Sequence, residues 1–200
     1  MNEKQIDIDS DIIDFFRCAY FGSTLVSLGA ATKRAYLDFN RTIRFKEFSS
    51  EGRIALRKKV RDLFEKELPY ITKEKLTSQD DFDCWHRSVC ETIVNIYQAE
   101  DINFTIGQSQ KWLNMTIKYL YLLGSEQFES NFRFLHVPID NYILNFCEKE
   151  FDIKRIGKSW SKWENYDEYS KYQQTIRNHL KGEDPLRWEF KSWLASINKR

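Results

Sequence analysis

Glycine and proline are scarce in this chain, seven and three in 200 residues, which leaves long segments with little to interrupt regular structure. Charge of one sign is also lacking. With 31 basic and 30 acidic residues the formal net charge is +1, so no whole-molecule field holds a polyanion, and any nucleic-acid contact must come from a local patch. No apolar run approaches the roughly 18 residues that a membrane span requires. The acidic stretch MNEKQIDIDSDIID carries neither the basic region nor the apolar run of a secretory signal, so the expectation is a cytoplasmic protein with no membrane contact. The four cysteines are widely scattered, which predicts reduced thiols rather than disulfides or an iron–sulfur site. Phosphate-cradling, dinucleotide-binding, serine-nucleophile and H-E-x-x-H patterns are missing, so nucleotide hydrolysis, hydride transfer and zinc proteolysis lose their usual support.

What the chain does have is aromatic mass. Six Trp, ten Tyr and fifteen Phe can bury a large apolar area. Apolar residues recur at spacings of three and four, the helical period, while strand-like alternation is nearly absent. The pattern predicts an all-α, compact helical domain over residues 1–200, as one body or as two helical lobes with a cleft between them. Helices are expected over about 11–20, 25–43, 51–67 (ended by Pro69), 78–98, 108–123, from about 127, 140–149, and twice more in the aromatic-rich segment 160–197. Ser78, followed by acidic residues, is suited to cap the helix over 78–98. The spacing of Tyr166, Tyr169 and Tyr172 is that of a buried helix face. The basic cluster from Arg53 to Arg61 reads either as a solvated helix face or as a phosphate-contacting patch. Cys84, His86 and Cys90 form C-x-H-x3-C without a fourth ligand, so neither a metal nor another cofactor is expected.

The most informative stretch is NFTIGQSQKWLNMTIKYLYLL, followed by HVPIDNYIL. Two helices joined by a short connector (80–123) would carry Lys111 on the second helix. A proline-marked loop (134–145) would then present Asp140 at the start of another. This arrangement resembles the helix-hairpin-helix DNA glycosylase superfamily, and most closely its archaeal 8-oxoguanine branch, where a lysine on the second hairpin helix precedes a P-V-D-type loop. Pro138-Ile139-Asp140 stands for that loop. Two positions depart from the common pattern: Thr105 replaces the first hairpin glycine, and Ser109 stands where the lysine usually sits, while Lys111 lies four residues after Gly107.

The resemblance implies excision of an oxidised purine flipped from double-stranded DNA by a monomer. Lys111 would be the nucleophile and Asp140 the stabiliser of the sugar cation. The chemistry demands those residue types: a lysine amine can attack the anomeric carbon to form a Schiff base, and a carboxylate can stabilise the positive charge that develops on the sugar. The amine must be neutral to attack, so its basicity would have to be lowered by burial or by neighbouring cations such as Lys118. Gly107 would let a DNA phosphate approach the hairpin amides. Ser109 is, with Gly107, a candidate DNA contact; if it marks the true position of the family's lysine, the enzyme would be without lyase activity. Trp112 and Trp188 are candidates for contact with the extruded base. The other reading is a non-catalytic helical module that grips a protein or small-molecule partner with its aromatic-rich C-terminal third.

Overall fold

The computed structural model describes residues 9–24, 27–73, 75–124, 128–157 and 159–197, with the side chains of 129, 130 and 195–197 excepted. All regular structure among these residues is helical: α1 (Ser10–Phe21), α2 (Leu28–Phe39), α3 (Ser50–Glu67), α4 (Pro69–Thr72), α5 (Gln79–Gln98), α6 (Ile106–Leu123), α7 (Asn141–Phe151), α8 (Tyr166–His179) and α9 (Pro185–Ile197). Short 3-10 turns lie at Asn40–Thr42, Glu129–Phe134 and Trp160–Lys162.

Local chemistry sets most of the boundaries. Ser78 accepts from the Asp81 amide while the Asp81 side chain returns to the Ser78 amide, so both exposed donors at the start of α5 are satisfied. Thr105 and Gln108 do the same for α6. Gly124 then ends α6 in the left-handed region at φ +69°, where a side chain would be strained. Pro69 stops α3 as expected, but its missing N–H suits a first helical position, and α4 starts on it.

Two helix expectations need correcting. The segment over 25–43 is helical only from Leu28 to Phe39 and tightens into the 3-10 turn Asn40–Thr42, where the Thr42 hydroxyl donates to the Phe39 carbonyl. Its expected start at Leu25 lies outside the described residues. So does Gln127; the chain beyond it forms the 3-10 turn Glu129–Phe134 rather than an α-helix.

α6 is the axis of the fold. It is buried along nearly its whole length and on nearly every side, as a helix surrounded by others must be, and it packs against α2, α5, α8 and the turn Trp160–Lys162. One connected cluster of buried side chains extends outward from it. Tyr166, Tyr169 and Tyr172 point into that cluster from α8, as their spacing requires. No helix of the described residues is long and apolar enough to cross a membrane.

Polar groups inside this core are joined in one network. With both rings neutral and protonated at Nε2, His136 donates to Asp83 at 2.8 Å and accepts at Nδ1 from Tyr169 at 2.9 Å. His86 donates to the Asn114 carbonyl at 2.9 Å and accepts from Tyr166 at 2.8 Å. Asn114 and Gln173 both donate to the Tyr169 oxygen. Burial depresses the basicity of both imidazoles, for His86 well below the ordinary value. At Asp83 burial pushes upward, but the hydrogen bonds donated by His136 and Gln79 outweigh it and the carboxyl lies low.

A pH dependence of stability follows. An unfolded histidine titrates near about 6.5. Below that value the unfolded chain binds protons that the folded rings refuse, so stability is full above it and declines as the pH falls. Asp83 adds a later loss as the pH drops through the carboxylate range. Thermal unfolding followed by circular dichroism should therefore show Tm falling between about pH 7 and pH 5.5, before carboxylates titrate. A flat profile there would mean that the rings are not buried neutral.

Candidate active site

Lys111, Met115, Lys118, Tyr119 and Leu122 recur along α6 at the helical period and therefore share one face. That face floors a cleft of about 480 Å³, within the size range of small-molecule sites. α9 supplies one wall with Glu189, Phe190, Trp193 and Leu194, the start of α7 another with Asp140 and Tyr142, and Tyr20 and Asp38 complete the lining.

The Lys111 ammonium donates to Asp140 Oδ2 at 2.7 Å. The lysine side chain is 7% exposed and the aspartate 30%, so water reaches the pair from the carboxylate side. The other oxygen of Asp140, Oδ1, accepts from the Tyr142 and Ile143 amides at 2.9 and 3.0 Å and caps α7. Burial pushes the Asp140 carboxyl upward, yet the charge and hydrogen bond of Lys111, with the two amide donors, outweigh it and hold the carboxyl below the usual range. The residue is thus a fixed anion on which positive charge can be stabilised.

The backbone that carries Asp140 is held from both sides. Gln110, next to Lys111, donates to the Ile139 carbonyl at 2.8 Å and accepts from the Ile139 amide at 3.1 Å. Gln173 of α8 makes the same paired contact with Val137, at 2.7 and 3.2 Å. Two glutamine amides thereby stand in for the neighbouring strand that a buried extended segment would otherwise need. They fix the loop relative to α6, which brings the lysine and the aspartate together.

The other sequence candidates lie elsewhere. Gly107 does not offer its amide outward: it donates to the Trp163 carbonyl at 2.9 Å, and Thr105 donates to Ser161. The segment 160–163 thus covers the start of α6, and the expected phosphate-binding hairpin is closed by the chain itself. Ser109 is fully buried and donates to the Ile106 carbonyl. Trp112 is buried against Tyr36, Phe39 and Phe64, with its indole N–H donating to Thr32. Trp188 packs on Phe146 and Phe151. Each of the three is core: Ser109 and Trp112 lie on a helix enclosed on nearly every side, and Trp188 lies on the buried face of α9, whose other face is exposed at Arg187, Lys191 and Leu194.

Lys118 also differs from expectation. Glu189 holds its ammonium with both oxygens, at 2.5 and 2.8 Å, both side chains being nearly buried. It therefore brings no net positive charge to Lys111. Sequence reasoning missed Glu189, Phe190, Tyr142 and the half-exposed Trp193; the Lys111–Lys118 stripe on the least polar helix was the available signal, but its partner helix was not legible. The metal pattern resolves into structure too: His86 is engaged by Tyr166 and Asn114, while Cys84 is exposed and separate.

Comparison of the chain with protein-family models, curated proteins and solved structures returned no match.

Proposed function

We propose that the cleft between α6, α7 and α9 removes a damaged base from DNA, with Lys111 as the attacking amine and Asp140 as the anion beside the reacting sugar. The observation that supports this reading is the direct contact of the two groups, 2.7 Å apart at a cleft of nucleoside size. In the reaction the neutral Lys111 amine, its proton given to solvent, forms a bond to the anomeric carbon. The glycosidic bond breaks, and the base leaves with the bonding electron pair and takes up one proton from the nitrogen. The bond from the anomeric carbon to the ring oxygen then breaks, the second nitrogen proton passes to that oxygen, and the Schiff base that borohydride reduces remains. Asp140, anchored by two backbone amides, faces the positive charge that grows on the sugar. Phe190, Trp193 and Tyr142 offer aromatic surface for an extruded base.

The test is borohydride trapping on duplex DNA containing 8-oxoguanine. The wild-type chain should form a covalent adduct, Lys111→Gln should form none, and Asp140→Asn should release base about 10²–10³-fold more slowly. An adduct that persists in Lys111→Gln removes the lysine from the mechanism.

A second reading is favoured by the closed start of α6 and by the charge balance of the cleft, where Asp38, Asp140 and Glu189 face Lys111 and Lys118. On that reading the cleft holds a small amphipathic molecule without turnover. Absence of both adduct and base release would select it.

A further inference from the structure

A second groove differs in character from the cleft above. On α3, Ile54, Arg57, Lys58 and Arg61 follow the spacing i, i+3, i+4, i+7 and share one face; α2 opposes them with Lys33 and Leu37. The volume enclosed is about 490 Å³, and no carboxylate among the described residues lines it. Ile54 and Leu37, 58% and 48% exposed, form an open apolar strip between the cations.

The cations are unequally engaged. Lys58 pairs with Asp62 at 2.8 Å, and Arg61 lies 3.5 Å from Asp62 and from Glu65, all on the exposed outer side of α3. Such surface pairs are weak and give way readily to a better anion. Among the described residues Lys33 and Arg57 have no carboxylate partner. The Arg57 guanidinium is steadied over the Tyr36 ring at 5.2 Å, which leaves donors of its fork to meet an anion.

We infer that this groove binds a phosphate monoester carrying a planar, largely apolar body, the chemistry of a nucleoside monophosphate. A monoester bears close to two negative charges at neutral pH, which suits several converging cations. An internal phosphodiester bears only one. The apolar strip of Ile54 and Leu37 gives the attached body a surface to cover, which inorganic phosphate would leave exposed. The site shares no lining residue with the Lys111–Asp140 cleft and does not depend on what that cleft does.

Isothermal titration calorimetry on the full chain tests it with AMP, phenyl phosphate, adenosine, inorganic phosphate and an oligonucleotide lacking terminal phosphates. AMP and phenyl phosphate should each bind at least about tenfold more tightly than adenosine or inorganic phosphate, since charge and apolar contact are both used. The double variant Lys33→Glu, Lys58→Glu and the single variant Ile54→Glu change only exposed positions and should retain the wild-type melting temperature. Each should weaken both monoesters by about tenfold or more. Absence of monoester binding overturns the assignment, as does binding that these variants leave unchanged. Tighter binding of the oligonucleotide than of AMP, lost in the same variants, overturns it in favour of a nucleic-acid strand.

Discussion

Replacing Asp140 with alanine is expected to destabilise the protein by about 3 kcal/mol, measured by urea unfolding. Two losses combine. The cap of α7 disappears with the Oδ1 contacts to Tyr142 and Ile143, at a cost of about 1 kcal/mol. The Lys111 ammonium, its side chain 7% exposed, is also left without its partner. Removing one member of a buried pair costs about 3–5 kcal/mol, reduced here because the aspartate is partly open to water. Asparagine caps as well as aspartate, so Asp140→Asn should recover only the cap share, about 1 kcal/mol. Lys111→Met removes the charge that needs compensation and should cost less than Asp140→Ala, because the remaining carboxylate keeps its two amide donors and its access to water. A cost below about 1 kcal/mol for Asp140→Ala would show that the ion pair is in effect a surface pair.

A single methyl group at Gly107 should be at least as damaging. A Cβ there would meet the Trp160 carbonyl oxygen at 1.8 Å and its carbon at 2.9 Å, both of them backbone atoms. No side-chain rotation relieves that overlap, so either the segment 160–163 lifts off α6 or the helix start shifts. Either movement breaks the bonds from Gly107 to Trp163 and from Thr105 to Ser161. Overpacking of this kind costs about 3 kcal/mol or more, and Gly107→Ala should unfold at lower urea and be cut by protease near the turn Trp160–Lys162. If Gly107→Ala is as stable as the wild type, the two segments are not in close backbone contact. The outcome also separates two roles for this glycine, since a residue needed only for phosphate approach would tolerate alanine without loss of stability.

Much of the helical architecture is legible along the chain because its signals are local. Ser78 followed by Asp81, the 3.6-residue recurrence in α5 and α6, and the tyrosine spacing of α8 act within a turn or two of themselves. Where a boundary depends on distant contacts, local reading fails: Thr42 receives a hydrogen bond from Gln108, 66 residues away, and the chain after Phe39 tightens beside that contact. The candidate site divides in the same way. Lys111 and Asp140 could be proposed from a motif-like order of residues, but Gly107, Ser109, Trp112 and Trp188 could not be placed. Nothing nearby in sequence tells an outward helix position from one covered by a segment 50 or more residues later, as Trp160–Trp163 covers Gly107.

The sequence alone determined that this chain is helical, since periodicity, capping residues and the scarcity of glycine and proline act over a few bonds. It also placed an amine and a carboxylate where two elements could present them. Tertiary structure alone decided that the two meet, because their contact depends on Gln110 and Gln173 clamping a loop between helices far apart in the chain. It likewise decided that the start of α6 is sealed and that Glu189 neutralises Lys118. Those outcomes rest on packing and on pairwise charge compensation in a low-dielectric interior, which depend on which surfaces meet.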